Sequence, residues 1–427
     1  MPHTEYVSGR RHVCVCKTYH RTDKLINIQQ IMYPEYDNIS FIIYMTWGLL
    51  FVLGVYKIKT CSAENGYKVS LNSKIWLRIS VAFFVIVATF RLVTPFGVGG
   101  ADATSYKDFY ETFFMKNATV YHGHLDVGYQ LIYGVFRYFT DDYHYCFCFQ
   151  HIVFISAIFL FVREFRMKNT NYAPYVLLVH SYVLGFSSMR SSFGMALIWF
   201  SFVLLHREKA KWAFLVAAFS LLIHKACAIY FMALPFYLIF RDRTFTLKHA
   251  LTLLAIAIMV GGTLQMFFVQ FAQDVDLGGA YGSYARDSTN LSFWEQAYRT
   301  AIEQLLLGAL MIIMNKRFQR HLASMTERER RTLKMLWLLC IFDLVLIPVN
   351  YFIGNWRAPE FLYVVRIVMW GEMLWLLFKP YPKNIQRIFT TICMVMFMAR
   401  MQRSFVSMAA PGGLMPYIFE PFMNFFL

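Results

Sequence analysis

Long apolar runs, separated by short polar segments, recur along almost the whole chain. A helix needs about 20 mostly apolar residues to cross a bilayer, so this pattern predicts a polytopic α-helical membrane protein. The runs are continuous rather than alternating, which argues against a β-barrel. We therefore expect an all-α bundle of about twelve spans. The predicted spans cover residues 39–56, 75–95, 144–162, 173–189, 190–206, 211–223, 226–240, 248–271, 297–314, 335–353, 359–378 and 386–402.

The composition agrees with a membrane protein. Hydrophobic residues make up 58% of the chain and charged residues 15%, whereas soluble domains average about 45–50% and about 25%. The formal net charge is +16, which in a soluble protein would suggest nucleic acid. Here the basic residues mostly lie in short loops between apolar runs, as the positive-inside rule predicts. No nucleic-acid partner is expected.

Loop charge also predicts the orientation. The loops around Lys57–Lys74, Arg163–Lys168, Arg207–Lys211 and Lys316–Lys334 are strongly basic and are predicted to be cytoplasmic. The alternate loops hold most of the acidic residues, so both termini are predicted to face outward.

The chain is expected to form one domain. Residues 1–38 are a polar N-terminal extension, of which 1–31 look dispensable; residues 39–403 are the transmembrane domain, and 404–427 an outward-facing apolar tail. Two outer segments are long, 97–143 and 272–296. In the first, Leu125–Tyr138 is apolar but too short to span, so we expect a re-entrant or interfacial helix packed on the bundle. The second is rich in Gly, Ser and Asp, as in a flexible loop that orders on substrate.

Ionisable residues at the outer span ends are the candidates for chemistry. Charges near hydrocarbon are costly unless they are paired or hydrated, so a one-sided cluster of them predicts a functional site. The cluster comprises Arg91, Asp102, Asp126, Arg190, His224, Lys225 and Arg357.

Each candidate also has a structural interpretation. Arg91 could snorkel to the headgroups, and Asp102 could cap the helix that follows it. Tyr106, four residues after Asp102, would share its helical face. A lone histidine in an apolar run, such as His224, is more often a hydrogen-bonded structural residue, and Lys225 is predicted to be a bystander.

The remaining arginines differ in their surroundings. Arg190 stands between two apolar runs with almost no loop, where a guanidinium suits bidentate capture of phosphate oxygens. Arg357 lies at the outer end between the tenth and eleventh spans. Asp343 and Arg366 lie deeper, and we predict a structural ion pair between neighbouring helices. Arg366 remains a candidate second phosphate ligand.

Several common signatures are absent from the sequence. There is no P-loop, GxGxxG, HExxH or GxSxG pattern, and Asp141–Asp142 lacks the intervening residue of a sugar-transferase Asp-x-Asp. The Cys14/Cys16 and Cys146/Cys148 pairs are too close for a zinc knuckle. Neither a cofactor nor a metal is expected.

An ordered set of segments resembles a known family. These segments are Arg91 with GGADATSYKDFY, then HLDVGYQLIY, MRSSFGMALIWFSFVLL, AAFSLLIHKACAIYF, and Arg357 with the later part of the chain. Over roughly residues 39–400 their order and spacing are similar to those of the EpsG/Wzy-type polysaccharide polymerases. These integral membrane enzymes extend lipid-linked surface glycans such as O-antigen, exopolysaccharide and capsule.

The resemblance implies a GT-C-like glycosyltransferase in the bacterial cytoplasmic membrane. It would join oligosaccharide repeat units carried on undecaprenyl diphosphate at the outer face, with a flippase and a chain-length regulator as expected partners. Arg190 and Arg357, with Arg91 behind them, would stabilise the diphosphate. Asp102, Asp126 or His224 would act as the base, and Tyr106 and Tyr129 would stack on sugars.

Two alternatives remain open. A lipid-linked-sugar transferase or O-antigen ligase would use the same donor with another acceptor. A transporter or flippase for an anionic or lipid-linked solute should instead show repeats and polar groups near the midplane. Neither feature is evident in the sequence.

Overall fold

The computed structural model describes most of the predicted bundle. It covers residues 38–57, 71–94, 99–100, 102–114, 126–167, 169–243, 247–274, 292–353, 358–412 and 417–419. Over these ranges the chain is helical, and the one β-type pairing is an isolated antiparallel bridge between Arg91 and Phe419. The predicted N-terminal extension and most of the 272–296 segment lie outside the described residues.

The helices follow the predicted apolar runs in order. The first five are α1 (Asn38–Lys57), α2 (Leu71–Thr89), α3 (Ala103–Glu111), α4 (Val127–Phe139) and α5 (Tyr143–Phe165). A 3₁₀ turn at Ala173–Leu177 leads into α6 (Leu178–Ser187), α7 (Met189–His206), α8 (Ala210–Ile223), α9 (Cys227–Phe231) and α10 (Ala233–Phe240). The last are α11 (Leu247–Asp274), α12 (Ser292–Ala323), α13 (Glu327–Ile353), a 3₁₀ turn at Ala358–Leu362, α14 (Tyr363–Phe378) and α15 (Lys383–Gly412).

Five helical segments of the described chain are long and apolar enough to cross a membrane. They are Asn38–Tyr56, Tyr143–Phe165, Met189–His206, Glu327–Val349 and Glu360–Phe378. The segments Ala173–Ser187, Ala210–Ile223, Cys227–Phe240 and Leu251–Thr263 are apolar but shorter. The prediction of an all-helical membrane protein is confirmed, whereas the count of twelve spans stays a prediction.

Helices α7 and α14 are the most buried of these long segments. The indole of Trp199 on α7 is fully buried and donates a hydrogen bond to the carbonyl of Phe361 at 2.7 Å. The hydroxyl of Tyr182 on α6 donates to the carbonyl of Phe84 on α2. Buried indole and phenol groups need such partners, so these bonds also specify how the central helices pack.

A break at Ser188 separates α6 from α7. Its backbone is not helical (φ −97°, ψ 53°), yet its N–H donates to the Leu184 carbonyl and its own carbonyl accepts from Ser192. Serine offers the backbone local alternatives to a continuous helix, and the FSSMRSS segment is rich in it. The break places Arg190 in the first turn of α7, as the sequence predicted.

A tyrosine cluster joins the two short helices. Tyr106 and Tyr110 on α3 face Tyr129 and Tyr133 on α4, with ring centroids 5.6 and 5.7 Å apart. Both pairs are spaced i, i+4, which puts their members on one face of each helix. These rings pack with Cys146 and Phe147 of α5, and Met189 and Phe193 of α7, in a second hydrophobic cluster. This cluster packs the start of α4 against the start of α7.

The predicted ion pair between Asp343 and Arg366 is confirmed. Arg366 Nη1 on α14 lies 2.8 Å from Asp343 Oδ2 on α13, and both side chains are buried. Gln304 Nε2 of α12 donates to the Asp343 carbonyl at 3.3 Å. The pair therefore lies where three helices meet.

We predict that Asp343→Ala destabilises the protein by about 3–5 kcal/mol, because it leaves a buried guanidinium without its partner. Glu327→Ala on the same helix is the matched control. Glu327 pairs with Arg330 at 3.4 Å on the surface, and such pairs contribute about 0–1 kcal/mol. Thermal unfolding in detergent measures both variants, and equal midpoints would contradict a structural role for the buried pair.

Candidate functional site

The carboxylate of Asp126 is the centre of the candidate site. Asp126 directly precedes α4, and its side chain is 5% exposed. Two cationic side chains and one histidine approach it from other elements. Arg190 Nη1 lies 3.6 Å and His224 Nδ1 3.7 Å from Oδ2, and Lys225 Nζ lies 3.8 Å from Oδ1. The structure thus brings together three of the predicted site residues, Asp126, Arg190 and His224. Lys225, predicted to be a bystander, belongs to the same cluster.

Two glycines allow these elements to approach. A Cβ on Gly128 would lie 2.9 Å from the carbonyl carbon of Leu222, so only glycine lets the start of α4 touch the end of α8. A Cβ on Gly194 would lie 2.7 Å from Cys227 Sγ, where α7 meets the turn after α8. Gly128 is two residues from Asp126, and Gly194 is one helical turn from Arg190. The glycines therefore determine the distances within the cluster.

His224 owes its position to the end of α8. It adopts an extended backbone (φ −155°, ψ 117°), and its N–H donates to the Ser220 carbonyl at 2.9 Å. Its own carbonyl accepts from Cys227 at 2.9 Å, which starts α9. The turn between α8 and α9 thus presents His224 and Lys225 to Asp126 from consecutive positions.

The cluster has more positive than negative charge. Arg190 and Lys225 carry two positive charges against the one carboxylate, and His224 adds a third when it is protonated. The N-terminus of α4 contributes a further partial positive charge. The separations of 3.6–3.8 Å exceed those of direct hydrogen bonds. Such an arrangement attracts an anion, and phosphate oxygens are the ligands that guanidinium and ammonium groups bind best.

Arg91 is 1% exposed, so its interpretation as a snorkelling side chain is wrong. Its guanidinium donates to the carbonyls of Ala88, Gly99 (2.7 Å) and Phe186 (2.8 Å) and contacts His151 Nε2 at 3.0 Å. These bonds join the end of α2, Gly99 in the segment between α2 and α3, and the end of α6. Because protein acceptors already occupy this guanidinium, the geometry gives Arg91 a positioning role rather than contact with a diphosphate.

Residues close to the C-terminus form hydrogen bonds with the end of α2 and the residues after it. The N–H of Leu92 donates to the Ile418 carbonyl at 2.8 Å, and the Tyr417 hydroxyl donates to the Val87 carbonyl at 2.8 Å. Residues 417–419 of the predicted tail therefore pack against the end of α2 and the residues that follow it. α15 also continues to Gly412, ten residues beyond the predicted end of the last span.

Asp102 occupies the N-cap position of α3 but makes no capping hydrogen bond with its side chain. The capping interpretation therefore holds for its position and not for its carboxylate. Its backbone N–H donates to Ser187 Oγ at 3.5 Å, three residues before Arg190. Asp102 thus lies next to the α6–α7 break, and its role as a base stays a prediction.

The tyrosines predicted to stack on sugars are buried. Tyr129 is fully buried and Tyr106 is 8% exposed. The Tyr129 hydroxyl donates to Gln150 Oε1 at 2.8 Å, and burial raises the pKa of both Tyr129 and Tyr133 well above the usual value. Tyr129 offers no exposed ring face to a sugar, because packing against Tyr106 and Tyr133 encloses it. Through Tyr106 and Gln150, Tyr129 packs α4 against α3 and α5.

The two remaining predicted ligands are not part of this cluster as described. Arg366 is bonded to Asp343 in the bundle interior, which removes the basis for a second phosphate ligand there. Arg357 lies outside the described residues. Its chain neighbours Ala358–Leu362 form a 3₁₀ turn whose Phe361 ring lies 6.4 Å from the His224 ring.

Sequence reasoning missed the residues that hold this turn. Phe361 stacks on Tyr230 with centroids 4.5 Å apart, and Glu360 Oε1 lies 3.6 Å from His180 Nε2. Glu360 and His180 are ionisable residues in apolar runs, which is the same signal that selected Arg190 and His224. Their pairing could not be predicted, because 180 positions separate them.

The described residues contain no group of three or more His, Cys, Asp and Glu side chains arranged to hold a metal ion. The chemistry of the cluster is that of cations around one carboxylate. Cations of this kind can stabilise a negatively charged leaving group, and a carboxylate–imidazole pair can accept a proton.

We predict that Gly128→Ala destabilises the protein by about 1–3 kcal/mol, the usual cost of overpacking. The added methyl meets the Leu222 backbone, which cannot turn away. Gly134→Ala on the same helix is the control, because its methyl meets only the Phe113 ring edge, at 3.2 Å. Detergent thermal unfolding compares them, and an equal or smaller loss for Gly128→Ala would refute the close-approach argument.

Comparison with known proteins identifies the family to which the chain belongs. The EpsG family model matches residues 74–419, a range that includes the whole cluster around Asp126. Comparisons with curated proteins and with solved structures gave no significant match. Since the family match covers far more than half of the sequence, the chain belongs to the EpsG family.

Proposed function

We propose that the protein polymerises oligosaccharide repeat units carried on undecaprenyl diphosphate into a surface polysaccharide. EpsG family membership suggests a role of the polysaccharide-polymerase type. The observation that carries the specific reaction is the excess of cationic groups around the Asp126 carboxylate, at the end of the bundle that loop charge predicts to be outer.

In this proposal the cations hold the donor's diphosphate. Arg190 supplies a guanidinium suited to two phosphate oxygens, and Lys225 supplies an ammonium whose side chain is 78% exposed. Arg357 remains a third candidate, because the turn that follows it contacts His224 through Phe361. Asp126 keeps the cations close to one another before the donor binds.

The transfer step requires a base for the acceptor hydroxyl. The acceptor oxygen forms a bond to the anomeric carbon while the bond from that carbon to the diphosphate oxygen breaks. The leaving lipid diphosphate takes the electron pair and is stabilised by Arg190 and Lys225. The hydroxyl proton passes to His224, whose Nδ1 faces Asp126. A carboxylate that orients and stabilises an imidazole is a recurrent arrangement for such a base. Asp102 and Asp126 remain the alternatives.

We propose the following arrangement in the membrane. The chain crosses the bacterial cytoplasmic membrane about twelve times with both ends outward. Helix α4 lies across α5 as an interfacial helix. This is supported by contacts seven residues apart on α4, Tyr129 to Gln150 and Phe136 to Phe149, that fall on adjacent residues of α5. A flippase would supply the substrate, and a chain-length regulator would limit the product.

We predict that Arg190→Ala lowers the rate of glycan lengthening by about a hundred- to thousandfold, as for loss of one charge-stabilising donor. Arg190→Lys should restore only part of the rate, because an ammonium cannot bind bidentately. Arg137→Ala is the control, since Arg137 pairs with Asp141 away from the cluster. Chain-length ladders and membrane abundance are measured together, and a wild-type ladder from Arg190→Ala would disprove its role.

The decisive experiment is reconstitution with a purified undecaprenyl-diphosphate oligosaccharide. We expect longer lipid-linked products from the wild-type protein, and lengthening about a hundred- to thousandfold slower from Arg190→Ala. Transfer to a different acceptor without lengthening would identify a ligase or lipid-linked-sugar transferase instead. Movement of the unchanged substrate across the vesicle membrane would identify a transporter.

A further inference from the structure

The tail segment (residues 417–419) bonds to two helices that are early in the chain. The N–H of Tyr417 donates to Ser40 Oγ on α1 at 2.6 Å, and its hydroxyl donates to the Val87 carbonyl on α2 at 2.8 Å. The end of the segment pairs with Arg91 in the antiparallel bridge. The tail segment therefore connects the start of α1 with the end of α2.

Aromatic rings continue these contacts to α6. The Tyr417 ring centroid lies 5.2 Å from that of Trp47 on α1, and the Trp47 centroid lies 6.2 Å from that of Phe186 in the last turn of α6. Phe186 also contacts Arg91, whose guanidinium lies over its ring at 4.7 Å and donates to its carbonyl at 2.8 Å. Two routes from the tail segment thus meet at Phe186, one through Trp47 and one through Arg91.

Phe186 lies two residues before the break between α6 and α7. Arg91 Nη2 lies 2.8 Å from the Phe186 carbonyl oxygen, before the break, and 3.8 Å from Met189 Sδ, after it. Because the non-helical Ser188 interrupts the helix, contacts across the break help to fix the direction of α7. Arg190 directly follows Met189, so a shift of these contacts moves the guanidinium of Arg190 relative to its carboxylate partner.

We infer that the tail segment is a positioning element of the candidate site. It holds the end of α2 and the Phe186 ring, and through these it fixes the place of Arg190 beside Asp126. The inference rests on the proposed function for the identity of the ligand, a diphosphate bound by Arg190. A segment that only closes the bundle would instead change the amount of folded protein and leave the affinity of the folded molecules as it is.

The test measures the dissociation constant (Kd) of radiolabelled bare undecaprenyl diphosphate for the full-length protein in detergent. Tyr417→Ala removes the ring on Trp47 and the hydroxyl that donates to Val87. We expect its Kd to rise about tenfold, the size of one lost hydrogen bond to a charged group. Arg190→Ala should raise Kd at least as much.

A double variant tests whether Tyr417 acts through Arg190. In the Arg190→Ala background, Tyr417→Ala should change Kd by less than about twofold, because no guanidinium is left to position. Substitutions that act independently would instead multiply their effects on Kd.

Tyr56→Ala is the matched control. Tyr56 lies at the other end of α1, and its ring centroid lies 5.4 Å from that of Tyr172, so the substitution removes a similar ring contact away from the break. It should leave Kd unchanged. Ser40→Ala is a milder second variant that deletes only the acceptor of the Tyr417 N–H, and it should raise Kd in the same direction as Tyr417→Ala. Unfolding midpoints identify the variants that keep the fold.

Three results would overturn the inference. They are an unchanged Kd in the folded variants of Tyr417 and Ser40, an equal rise in Tyr56→Ala, and a rise from Tyr417→Ala that multiplies with that from Arg190→Ala.

The outcomes separate this inference from the proposed function. Binding of the bare lipid diphosphate requires no sugar and no transfer, and glycan lengthening by the same preparations is measured separately. Coupled Kd values without any lengthening support the positioning role and refute the polymerase. Lengthening with independent effects on Kd supports the polymerase and refutes the positioning role.

Discussion

The arrangement of α4, α7 and the turn after α8 depends on the buried carboxylate of Asp126. A carboxylate that is 5% exposed is stable only among counter-charges, and these come from α7 and from the turn after α8. The counter-charges reach it only because Gly128 and Gly194 remove the side chains that would keep the helices apart. Packing and electrostatics therefore depend on each other here. A change that separates α4 from α8 also removes the charges that make Asp126 tolerable.

Arg91 and Arg190 differ in the partners of their guanidinium groups. Arg91 donates hydrogen bonds to backbone carbonyls in the last turns of α2 and α6. The carbonyls at a helix end have no partner within the helix. A cation at these C-terminal ends also complements the helix dipoles. Arg190, whose side chain is 20% exposed, lies 3.6 Å from the Asp126 carboxylate. The first arrangement holds helices together, and the second places a partly exposed guanidinium beside a buried carboxylate.

Other buried charges in the described chain show the same contrast. At the opposite end of α5 and α7, Glu164 contacts His206 at 2.8 Å and Arg207 at 2.7 Å. In the interior, Arg366 contacts Asp343 at 2.8 Å. These close pairs connect helices and bring opposite charges within hydrogen-bonding distance, which is what burial requires of structural charges. The separations of 3.6–3.8 Å around Asp126 are longer than those of these pairs and similar to the 3.6 Å between Glu360 and His180.

The sequence alone determined the fold class and the order of the helices, and it selected three of the four members of the Asp126 cluster as candidates. Hydrophobic run length decides whether a segment is a buried helix, and ionisable residues at the ends of such runs are visible without a structure. Asp126, Arg190 and His224 were selected in this way. The tertiary structure decided which of them meet. It placed Lys225 in the cluster, buried the side chains of Arg91 and Tyr129, and paired Arg366 with Asp343. These outcomes depend on contacts between residues far apart in sequence, such as Gly128 with Leu222 and Glu360 with His180, which no local pattern encodes.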